Sequence, residues 1–525
     1  MLSFSAGFFP RGRDLTDCGA QTASFAHISR KFPRCTRQKC NKILFDLHFS
    51  FRCGILFHIF PPRCAALGKD VNTVNVDKIE LNRYVESLCT EMEKEYRINP
   101  RYYKGDAVKR GLRNADGTGV MAGVTRIGSV QGYYLRDFEK VPIPGELYYR
   151  GINVNEIVEA HSSTGTFGYE EVAYLLLFGA LPTREQLLRF NTVLTGARRL
   201  PDGFFEDMIL KAPSKNIMNK LERSVLVLYS YDERPDDTAV ENITRQSIEL
   251  IGSFPTIVAD AYAVKRHVFD GRSLYIHNPK EELSISENFL RMIRKDKSYQ
   301  PEEALLLDLM MILHAEHGGG NNSTFACRTL TSSGTDTYSA IAAAVGALKG
   351  PLHGGANAKV MEMMGYVSAN VPEVNDAAVK DYLVKLLDGE AGDRSGKIYG
   401  LGHAVYTVSD PRAQAIKKYA RSLADQKGFS REFDLLEAVE RVGIPLVMER
   451  SDRDLPMCAN VDLYSGLVYQ MLGIPAELYT PLFAIARIAG WCAHRLEELM
   501  TCGRIIRPAY RSSMNYGPYV PMDRR

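Results

Sequence analysis

From about residue 78 onward, apolar residues recur at spacings of three and four, and alternating runs are few. Such spacing is typical of amphipathic helices, so the sequence predicts a mostly helical protein. One helix start is well marked, because Thr183 can cap a helix and Gln186 holds the reciprocal position of a capping box. The predicted buried face of this helix consists of Leu187, Leu188, Phe190, Val193 and Leu194.

Two other stretches carry local signals. Pro301, followed by Glu302 and Glu303, is expected to open a helix through the apolar residues 304–313, since proline and acidic side chains suit a first helical turn. Short strands are expected only around residues 120–138, where β-branched residues and tyrosines are spaced between glycines. The chain is therefore predicted to be helical, with one small region of strands.

Length and composition fit a protein with more than one hydrophobic core. The chain has 525 residues, of which 45% are hydrophobic. Its net charge of +3 hides an asymmetry, because residues 1–69 contain eleven Lys or Arg against three Asp or Glu, while the remainder contains 54 against 59. The basic residues near the start are scattered rather than arrayed on one helix face. The sequence therefore does not predict nucleic-acid binding.

Residues 1–77 differ in composition from the rest of the chain. They hold five of the ten cysteines and ten of the 23 phenylalanines but no tyrosine. They also lack sustained helical or alternating periodicity. We expect a non-homologous extension outside the main fold, either disordered or translated from a misassigned start. The alternative is an organellar transit peptide, because the composition is rich in arginine and poor in acidic residues.

Four polar residues interrupt the most apolar part of this extension, residues 43–60: Asp46, His48, Arg52 and His58. A membrane helix needs about 20 mostly apolar residues, so no membrane span is predicted. A secretory signal would place its apolar region near the start. The cysteines of the body are scattered and are expected to be reduced thiols. These features predict a cytoplasmic protein, with the mitochondrial matrix as the alternative if the extension is a transit peptide.

A histidine at a helix boundary is the first candidate for chemistry. His353 follows the helix-breaking pair Gly350-Pro351, and the residues after it resume a helical composition. The amides of that second helix would face the imidazole, and the positive end of the helix dipole disfavours a second proton. A neutral imidazole can donate a hydrogen bond to an oxygen that gains negative charge. The alternative is a histidine with a purely structural role.

Two segments nearer the C-terminus each pair an ionisable residue with a turn. His403 follows the glycine-rich residues 400–402, and Arg412 lies nine residues further on in an Asp-Pro-Arg turn. Asp462 lies in a largely apolar sequence, which is expected to raise the pKa of its carboxyl group. A carboxylate with a raised pKa suits a general base.

In order along the chain, the motifs HGGAN, GHAVYTVSDPR and NVDLYSG resemble those of the citrate synthase family, and the resemblance extends from about residue 119 to residue 510. It implies an all-α fold in which a large helical domain is interrupted by a smaller helical domain, with the active site in the cleft between them. The expected segments are the extension at 1–77, the first part of the large domain at 78–354, the small domain at 355–472, and the return of the large domain at 473–525.

The resemblance also implies the reaction, a condensation of acetyl-CoA with oxaloacetate and water that gives citrate and CoA. By carry-over from the family, Asp462 removes a proton from the thioester methyl group, His353 stabilises the enol, and His403 donates to the ketone oxygen under attack. Acetyl-CoA is a co-substrate, and neither a tightly bound cofactor nor a metal is expected. The alternative is 2-methylcitrate synthase, which uses propionyl-CoA, and a remote one is a non-catalytic relative that only binds.

Oxaloacetate is a dianion, and guanidinium groups bind carboxylates through two parallel hydrogen bonds. Three arginines match family positions for this role: Arg412, Arg487 and Arg507. In the family the last of them comes from the neighbouring subunit, which implies a homodimer. His317 is the expected histidine contact to oxaloacetate, whereas His314 is expected to pack within its helix.

The CoA site is also carried over from the family. The backbone of Gly400, Leu401 and Gly402 is expected to contact the cofactor, because glycine permits close approach. Arg453 is the candidate for a phosphate contact, with a solvated turn as the alternative. No P-loop or dinucleotide fingerprint is present, which argues against a nucleotide-hydrolysing enzyme.

The loop after residue 313 departs from the common family pattern, with Glu316 where aspartate is usual and Gly318 where glutamate is usual. Its His-Gly-Gly-Gly stretch resembles the oxyanion loop of lipases, but the sequence lacks a Gly-x-Ser-x-Gly nucleophile elbow. Its His-x-x-His pair is compatible with a metal site, but no close third ligand is apparent. The hydrogen bonding of this loop is therefore open at this point, while the implied chemistry is unchanged.

Overall fold

The structure is a computed structural model, and it describes residues 85, 86, 88, 89, 92, 96 and 98–525, apart from 104–107, 115, 138, 452–454, 502, 516 and 525. Residue contacts divide the chain into two units, Met1–Asn99 and Pro100–Arg525. Every element named below lies in the second unit. The predictions for residues 1–77 and for Arg453 fall outside the described residues.

Fifteen α-helices are described in Pro100–Arg525, which confirms the mostly helical fold. In chain order they are α1 (Val154–Thr164), α2 (Tyr169–Phe178), α3 (Arg184–Ala197), α4 (Ile217–Leu228), α5 (Val240–Asp270), α6 (Ile285–Ile293), α7 (Pro301–His314), α8 (Asn322–Thr331), α9 (Thr337–Lys349), α10 (Ala356–Asn370), α11 (Asp376–Leu387), α12 (Pro411–Lys427), α13 (Ser430–Ser451), α14 (Val461–Met471) and α15 (Tyr479–Thr501).

Two helices begin where local signals predict. At α3 the Thr183 hydroxyl accepts from the Gln186 N–H at 3.3 Å, and the Gln186 amide oxygen accepts from the Thr183 N–H at 2.8 Å. At α7 the helix begins at Pro301, and Gln300 and Glu303 form a second capping box. Each signal acts within one helical turn, so the sequence alone suffices to locate it.

The predicted buried face of α3 is only partly right. Phe190 and Leu194 are buried, but Leu188 is 67% exposed and Val193 is 56% exposed. Successive residues on a helix are about 100° apart, so Leu187, Phe190 and Leu194 form one stripe, while Leu188 and Val193 fall on its flanks. Helix α5 packs against α3, and Leu188 and Val193, outside that stripe, remain exposed to solvent. Periodicity gives the direction of a buried face but not its width.

The core is built around α15, which contacts α2, α5, α7, α8 and α9. Nearly all residues of α15 from Tyr479 to Leu496 are buried, and α5 and α7 are buried over most of their lengths. Helices that are covered on every side are typical of the interior of a large protein. Any charged side chain that α15 carries must therefore find its partners inside the protein.

Three antiparallel strands, in the order β1-β2-β3, form the one sheet found in the described part of the chain: β1 is Gly128–Arg136, β2 is Glu139–Tyr149 and β3 is Ile152–Asn153. Strand β1 lies in the region where strands are predicted, but β2 and β3 lie after residue 138, so the prediction that strands occur only around residues 120–138 is wrong. Strand β2 could not be predicted from the sequence, because it contains Pro142, Pro144 and Gly145, and prolines and glycines are rare within strands.

Two glycines let this sheet pack directly against the loop that follows residue 403. A Cβ at Gly132 would lie 2.5 Å from the Val405 carbonyl oxygen, and a Cβ at Gly145 would overlap the Ser409 carbonyl oxygen. The Thr407 hydroxyl donates to the Gly132 carbonyl at 2.8 Å. The hairpin thus supports the backbone that carries one of the candidate histidines.

Helices α10 to α14 fall within the predicted small domain, residues 355–472. Helix α12 contacts α13 and α14, while α10 packs on α14 and α11 on α13. Helix α12 also contacts α1, α7 and β2 outside that segment. The domain boundaries themselves stay a prediction. Within the described residues, no helix combines the length and the apolar character needed to cross a bilayer.

Candidate active site

A short antiparallel bridge joins the loop before the second candidate histidine to the segment before Asp462. The Gly402 N–H donates to the Cys458 carbonyl at 2.8 Å, and the Asn460 N–H donates to the Gly400 carbonyl at 2.9 Å. The Asn460 side chain also donates to the Gly402 carbonyl at 2.9 Å. Two motifs that are separated by some sixty residues are therefore held in one fixed register.

The hydrogen bonds of His403 define where its proton lies. Its Nδ1 accepts from the backbone N–H groups of Val405 and Tyr406, each at 3.1 Å. Backbone N–H groups can only donate, so the proton of the neutral ring lies on Nε2. Burial, with a smaller effect of Arg412, lowers the pKa of His403 to about 4. The ring is therefore neutral near pH 7 and presents Nε2–H as a donor.

His353 shows the opposite tautomer. Its Nε2 lies 3.4 Å from the Ser323 N–H and 3.0 Å from the Ser323 hydroxyl oxygen. The N–H makes Nε2 an acceptor, which leaves the proton on Nδ1. Burial, followed by the charge of Arg487, lowers the pKa of His353 to about 4. The predicted neutral imidazole is present, but burial is the main cause, and the helix end that contacts the ring is that of α8 rather than that of the following helix.

Asp462 lies in the first turn of α14, which Asn460 caps by accepting from the Asp462 N–H at 3.0 Å. Burial raises the pKa of its carboxyl group to about 6, against the opposing charge of Arg412. Among the described residues, no hydrogen bond to this carboxylate is found. The carboxyl group is thus more basic than an ordinary aspartate and is left without a hydrogen-bonding partner in the described part of the chain.

Asp410 positions Arg412 and at the same time ties two helices together. The carboxylate accepts from Nε and Nη2 of Arg412 at 3.0 and 2.8 Å, and it caps α12. It also accepts from the Val461 N–H at the start of α14 at 3.2 Å. Burial lowers the pKa of Arg412, but Asp410 outweighs burial, and the net pKa is raised. Arg412 is therefore permanently charged, with Nη1 outside the pair with Asp410.

Arg487 is the charged residue that α15 carries into the core. It is 1% exposed, and its Nε donates to the His314 carbonyl at 2.6 Å. Its Nη2 is buried and has no hydrogen-bond partner in the described residues. Burial lowers the pKa of Arg487 to about 10, partly offset by Glu316. A buried guanidinium with an unused donor is costly unless an anion completes its hydrogen bonds.

His317 lies beside His403, with ring centroids 5.2 Å apart and the planes nearly perpendicular. Its Nε2 is buried and has no partner among the described residues. Burial and then Arg412 hold the pKa of His317 well below its usual range. His314, by contrast, is buried and packs on Phe483 with a centroid distance of 4.4 Å, in agreement with the predicted packing role.

The hydrogen bonding of Glu316, which the sequence left open, follows from its burial. Its Oε1 accepts from His494 at 2.9 Å and also from the Gly318 N–H. A Cβ at Gly128 would lie 2.9 Å from the Glu316 side chain, and one at Gly490 would lie 2.6 Å from its Oε2. Burial raises the pKa of Glu316, but His494 outweighs burial, and the net pKa is lowered. The longer acidic side chain therefore fits because glycines flank it.

Six of the predicted site residues share one electrostatic neighbourhood. The charge of Arg412 lowers the pKa of His317, His403 and Asp462, and the charge of Arg487 lowers that of His317 and His353. These are groups from three helices and three loops, brought together by the fold. The arrangement can bind an anion and hold a base next to two neutral donors.

Arg507 is not brought into this neighbourhood within one chain. It is exposed, and the N–H of Ile506 beside it donates to the Ser332 hydroxyl at 3.0 Å, just beyond the end of α8. Ser323, which contacts His353, lies in the first turn of the same helix. At 1.5 Å per residue the two ends are roughly 14 Å apart. Arg507 therefore lies near the C-terminal end of α8, whereas His353 contacts the N-terminal end of that helix.

The predicted CoA loop makes contacts of a different kind. Gly400 and Gly402 already use backbone groups in the bridge to residues 458–460, and a Cβ at Gly400 would lie 2.9 Å from the Leu463 side chain. Packing against α14 therefore accounts for the glycine at 400. Contact of this loop with CoA stays a prediction, and within the tripeptide Leu401 is the residue whose own N–H and C=O lie outside the bridge.

Sequence reasoning did not find Ser323, Asp410 or Arg113. Arg113 lies close enough to His403 to contribute to its lowered pKa. An acidic residue before a proline that opens a helix is a recognised cap signal, so Asp410 was accessible to sequence reasoning. Ser323 and Arg113 carry no such signal, because each acts on a histidine that is distant in sequence. In the described part of the chain, no group of three or more possible metal ligands is found.

A family model described as citrate synthase, C-terminal domain, matches residues 115–509. The chain belongs to the citrate synthase family. One relative in that family, named citrate synthase, from Deinococcus radiodurans, is 35% identical over 69% of this chain and 88% of its own length. Another, named 2-methylcitrate synthase 1, from Corynebacterium glutamicum, is 35% identical over 76% of this chain and 94% of its own length.

Solved citrate synthase structures share the fold. The ternary complex of citrate synthase from Thermoplasma acidophilum with carboxymethyl coenzyme A and oxaloacetate matches at a TM-score of 0.65 and 26% identity, covering 80% of this chain and 100% of that one. This match and the helical content confirm the predicted all-α, citrate synthase-like fold.

Proposed function

We propose that this chain is a citrate synthase, which converts one acetyl-CoA, one oxaloacetate and one water into citrate and free CoA. One observation carries the proposal: a carboxyl group with a raised pKa, that of Asp462, shares a partly buried neighbourhood with two neutral imidazoles, His353 and His403, that hold their protons on opposite ring nitrogens. Removing a proton from a thioester methyl group requires a base and a hydrogen-bond donor at once. This set supplies both.

Oxaloacetate binds where buried donors lack acceptors. The Nη2 of Arg487 has no partner among the described residues, and Arg412 carries a permanent charge next to it. The two carboxylates of the substrate supply acceptors for these guanidinium groups, which suit bidentate contacts. The unpartnered Nε2 of His317 is the third group proposed to contact the substrate.

Enolisation follows on the other substrate. Asp462 takes a proton from the methyl carbon of acetyl-CoA while the Nδ1–H of His353 donates to the thioester oxygen, which gains charge as the enol forms. A pKa of about 6 keeps Asp462 ionised near pH 7 and makes it a stronger base than an ordinary aspartate. His353 can serve as a neutral donor in this step because its lowered pKa of about 4 keeps the imidazole uncharged near pH 7.

Condensation and hydrolysis complete the reaction. The enol carbon attacks the ketone carbon of oxaloacetate, and the Nε2–H of His403 donates to the ketone oxygen as that oxygen gains charge. The new carbon–carbon bond, with one proton taken up by that oxygen, gives citryl-CoA, and the proton that Asp462 removed from the methyl group balances the one taken up. Water then adds to the thioester carbonyl, the carbon–sulfur bond breaks, and CoA leaves as the thiol. Closure of the predicted small domain over the cleft would exclude water until both substrates are bound.

A homodimer completes the site in this proposal. Arg507 is exposed and lies at the far end of α8 from His353, so it does not serve the site of its own chain. We infer that it binds a substrate carboxylate in the site of a second copy. From the family resemblance we also propose that CoA contacts Gly400, Leu401 and Gly402 and that Arg453 contacts a phosphate of CoA. Acetyl-CoA is then a co-substrate rather than a resident cofactor.

The relative from Corynebacterium glutamicum supports 2-methylcitrate synthase as a second candidate, because its identity to this chain equals that of the citrate synthase from Deinococcus radiodurans. Propionyl-CoA differs from acetyl-CoA by one methylene, and a pocket discriminates at that level by only ~1–3 kcal/mol. A cytoplasmic location, or the mitochondrial matrix if residues 1–77 are a transit peptide, stays a prediction.

The test is thiol release from acetyl-CoA and from propionyl-CoA, each with and without oxaloacetate. The proposal expects oxaloacetate-dependent release, faster with acetyl-CoA. Faster release with propionyl-CoA would favour 2-methylcitrate synthase instead. Absence of oxaloacetate-dependent release with either thioester would reject a synthase and favour a non-catalytic relative. Asp462→Asn is the matched control, since it keeps size and removes the base.

A further inference from the structure

Trp491 is the one tryptophan of the sequence, and it lies one helical turn after Arg487 on α15. Its side chain is fully buried. The indole Nε1–H donates to the Ser323 hydroxyl oxygen at 3.2 Å. An indole nitrogen can only donate, so the hydroxyl oxygen must be the acceptor in this contact.

The Ser323 hydroxyl has a single proton and two acceptors within reach. The His353 Nε2 and the Asn321 Oδ1 each lie 3.0 Å from the hydroxyl oxygen. Asn321 Oδ1 already accepts from the Thr324 N–H at 3.1 Å as the cap of α8. His353 Nε2 receives only the longer contact from the Ser323 N–H, at 3.4 Å. The imidazole nitrogen is therefore the less satisfied acceptor.

We propose that Trp491 is a positioning residue that acts through Ser323 to keep the proton of His353 on Nδ1. By donating to the hydroxyl oxygen, the indole polarises the O–H bond and strengthens the hydrogen bond that the hydroxyl donates to His353 Nε2. The inference rests on the proposed function, in which the Nδ1–H of His353 donates to the thioester oxygen.

Loss of the indole N–H has a defined consequence. The Ser323 hydroxyl is then a weaker donor to His353 Nε2, and its proton can turn to Asn321, which leaves a lone pair of the oxygen facing His353. The Ser323 N–H at 3.4 Å is then the main donor that remains to His353 Nε2 among the described residues, and a larger share of the rings carries the proton on Nε2 instead of on Nδ1, where the enol oxygen needs it. A single hydrogen bond of this kind is worth about a five- to tenfold change in an equilibrium or rate. Oxaloacetate contacts involve other groups and are unaffected.

The experiment replaces this tryptophan by β-(benzothiophen-3-yl)alanine through biosynthetic incorporation. This analogue keeps the shape of the ring and substitutes sulfur for the N–H, so packing is retained. Because the chain has one tryptophan, only this site changes. We expect kcat to fall about five- to tenfold with the KM for oxaloacetate unchanged. Trp491→Phe is a second variant that lacks the N–H.

The same replacement is made in a Ser323→Ala background. If Trp491 acts through the Ser323 hydroxyl, the replacement causes no further fall in kcat there, because the group it acts on is gone. An equal fall in both backgrounds would assign the effect to packing and overturn the proposal. An unchanged kcat in the wild-type background would overturn it as well.

A second readout does not depend on activity. Heteronuclear NMR of the chain with isotope-labelled histidine, with His353 assigned from a His353→Gln variant, reports which ring nitrogen is protonated. We expect a proton on Nδ1 in the native chain and a shift towards Nε2 in the replaced chain. An unchanged tautomer would refute the role of Trp491 even if the native chain released no thiol, whereas lack of thiol release alone would refute only the proposed function.

Discussion

Acidification should inactivate the proposed base while both imidazoles stay neutral. Burial raises the pKa of Asp462 to about 6, and burial lowers the pKa of His353 and of His403 to about 4. Between about pH 5 and about pH 8, Asp462 is therefore the one member of this set that changes protonation state. Because the ionised carboxylate is the active form, kcat/KM for acetyl-CoA is expected to fall as the pH drops through about 6.

The size of the fall in kcat/KM distinguishes a carboxyl group with a raised pKa from an ordinary aspartate. One pH unit below its pKa, a carboxyl group is ionised in about a tenth of the molecules, so activity at about pH 5 should be about a tenth of the plateau. An aspartate with the usual pKa of 3.8 would keep more than nine-tenths of its activity at the same pH. The steepness expected below the midpoint is tenfold per unit.

The assay is thiol release at saturating oxaloacetate over about pH 5 to about pH 8. The relevant parameter is kcat/KM, because it reports ionisations of the enzyme before acetyl-CoA binds. Samples held at the lowest pH and assayed again near pH 7 control for unfolding. A profile that is flat down to about pH 5, or a fall centred near the usual aspartate pKa, would contradict the argument that burial makes Asp462 a stronger base.

Three further predictions follow from the same geometry. Asp462→Asn should abolish thiol release, yet it should stabilise the fold above about pH 6 by up to about 3 kcal/mol in urea unfolding. The reason is that the folded-state pKa of Asp462 is raised, so the native protein loses stability as the pH rises from the unfolded-state pKa through the folded-state pKa. Equal stability of the two proteins would count against a destabilising charge at Asp462. Mixed dimers of Arg507→Ala and Asp462→Asn subunits should recover activity that neither parent has, since one site per dimer is intact, and failure to recover any would count against a shared site. Gly490→Ala would put a Cβ 2.5 Å from the Ala315 carbonyl oxygen and 2.6 Å from Glu316 Oε2, and it is expected to cost ~1–3 kcal/mol and raise the KM for oxaloacetate. Gly365→Ala on α10, whose Cβ meets nothing within 4 Å, is the control and should leave that KM unchanged.

Local signals and ordered motifs made much of the fold accessible from the sequence. The capping of α3 by Thr183 and the start of α7 at Pro301 depend on groups within one turn, and both occur where they are predicted. The spacing of apolar residues indicated the helical class. The exposed Leu188 and Val193 show its limit, because a period gives the centre of a buried stripe while the neighbouring helix determines how much of it is covered.

For the candidate site, too, the sequence was enough to predict some properties, and the tertiary structure determined the others. Local sequence was enough to single out His353 and Asp462, while the resemblance of the ordered motifs to the citrate synthase family supplied their roles and that of His403. Their protonation states were decided by the tertiary structure. The tautomer of His353 depends on a contact with Ser323, thirty residues earlier, and the pKa of Asp462 depends on how completely the surrounding helices exclude water. Both are effects of distance and solvent in three dimensions, which the order of residues along a chain does not contain.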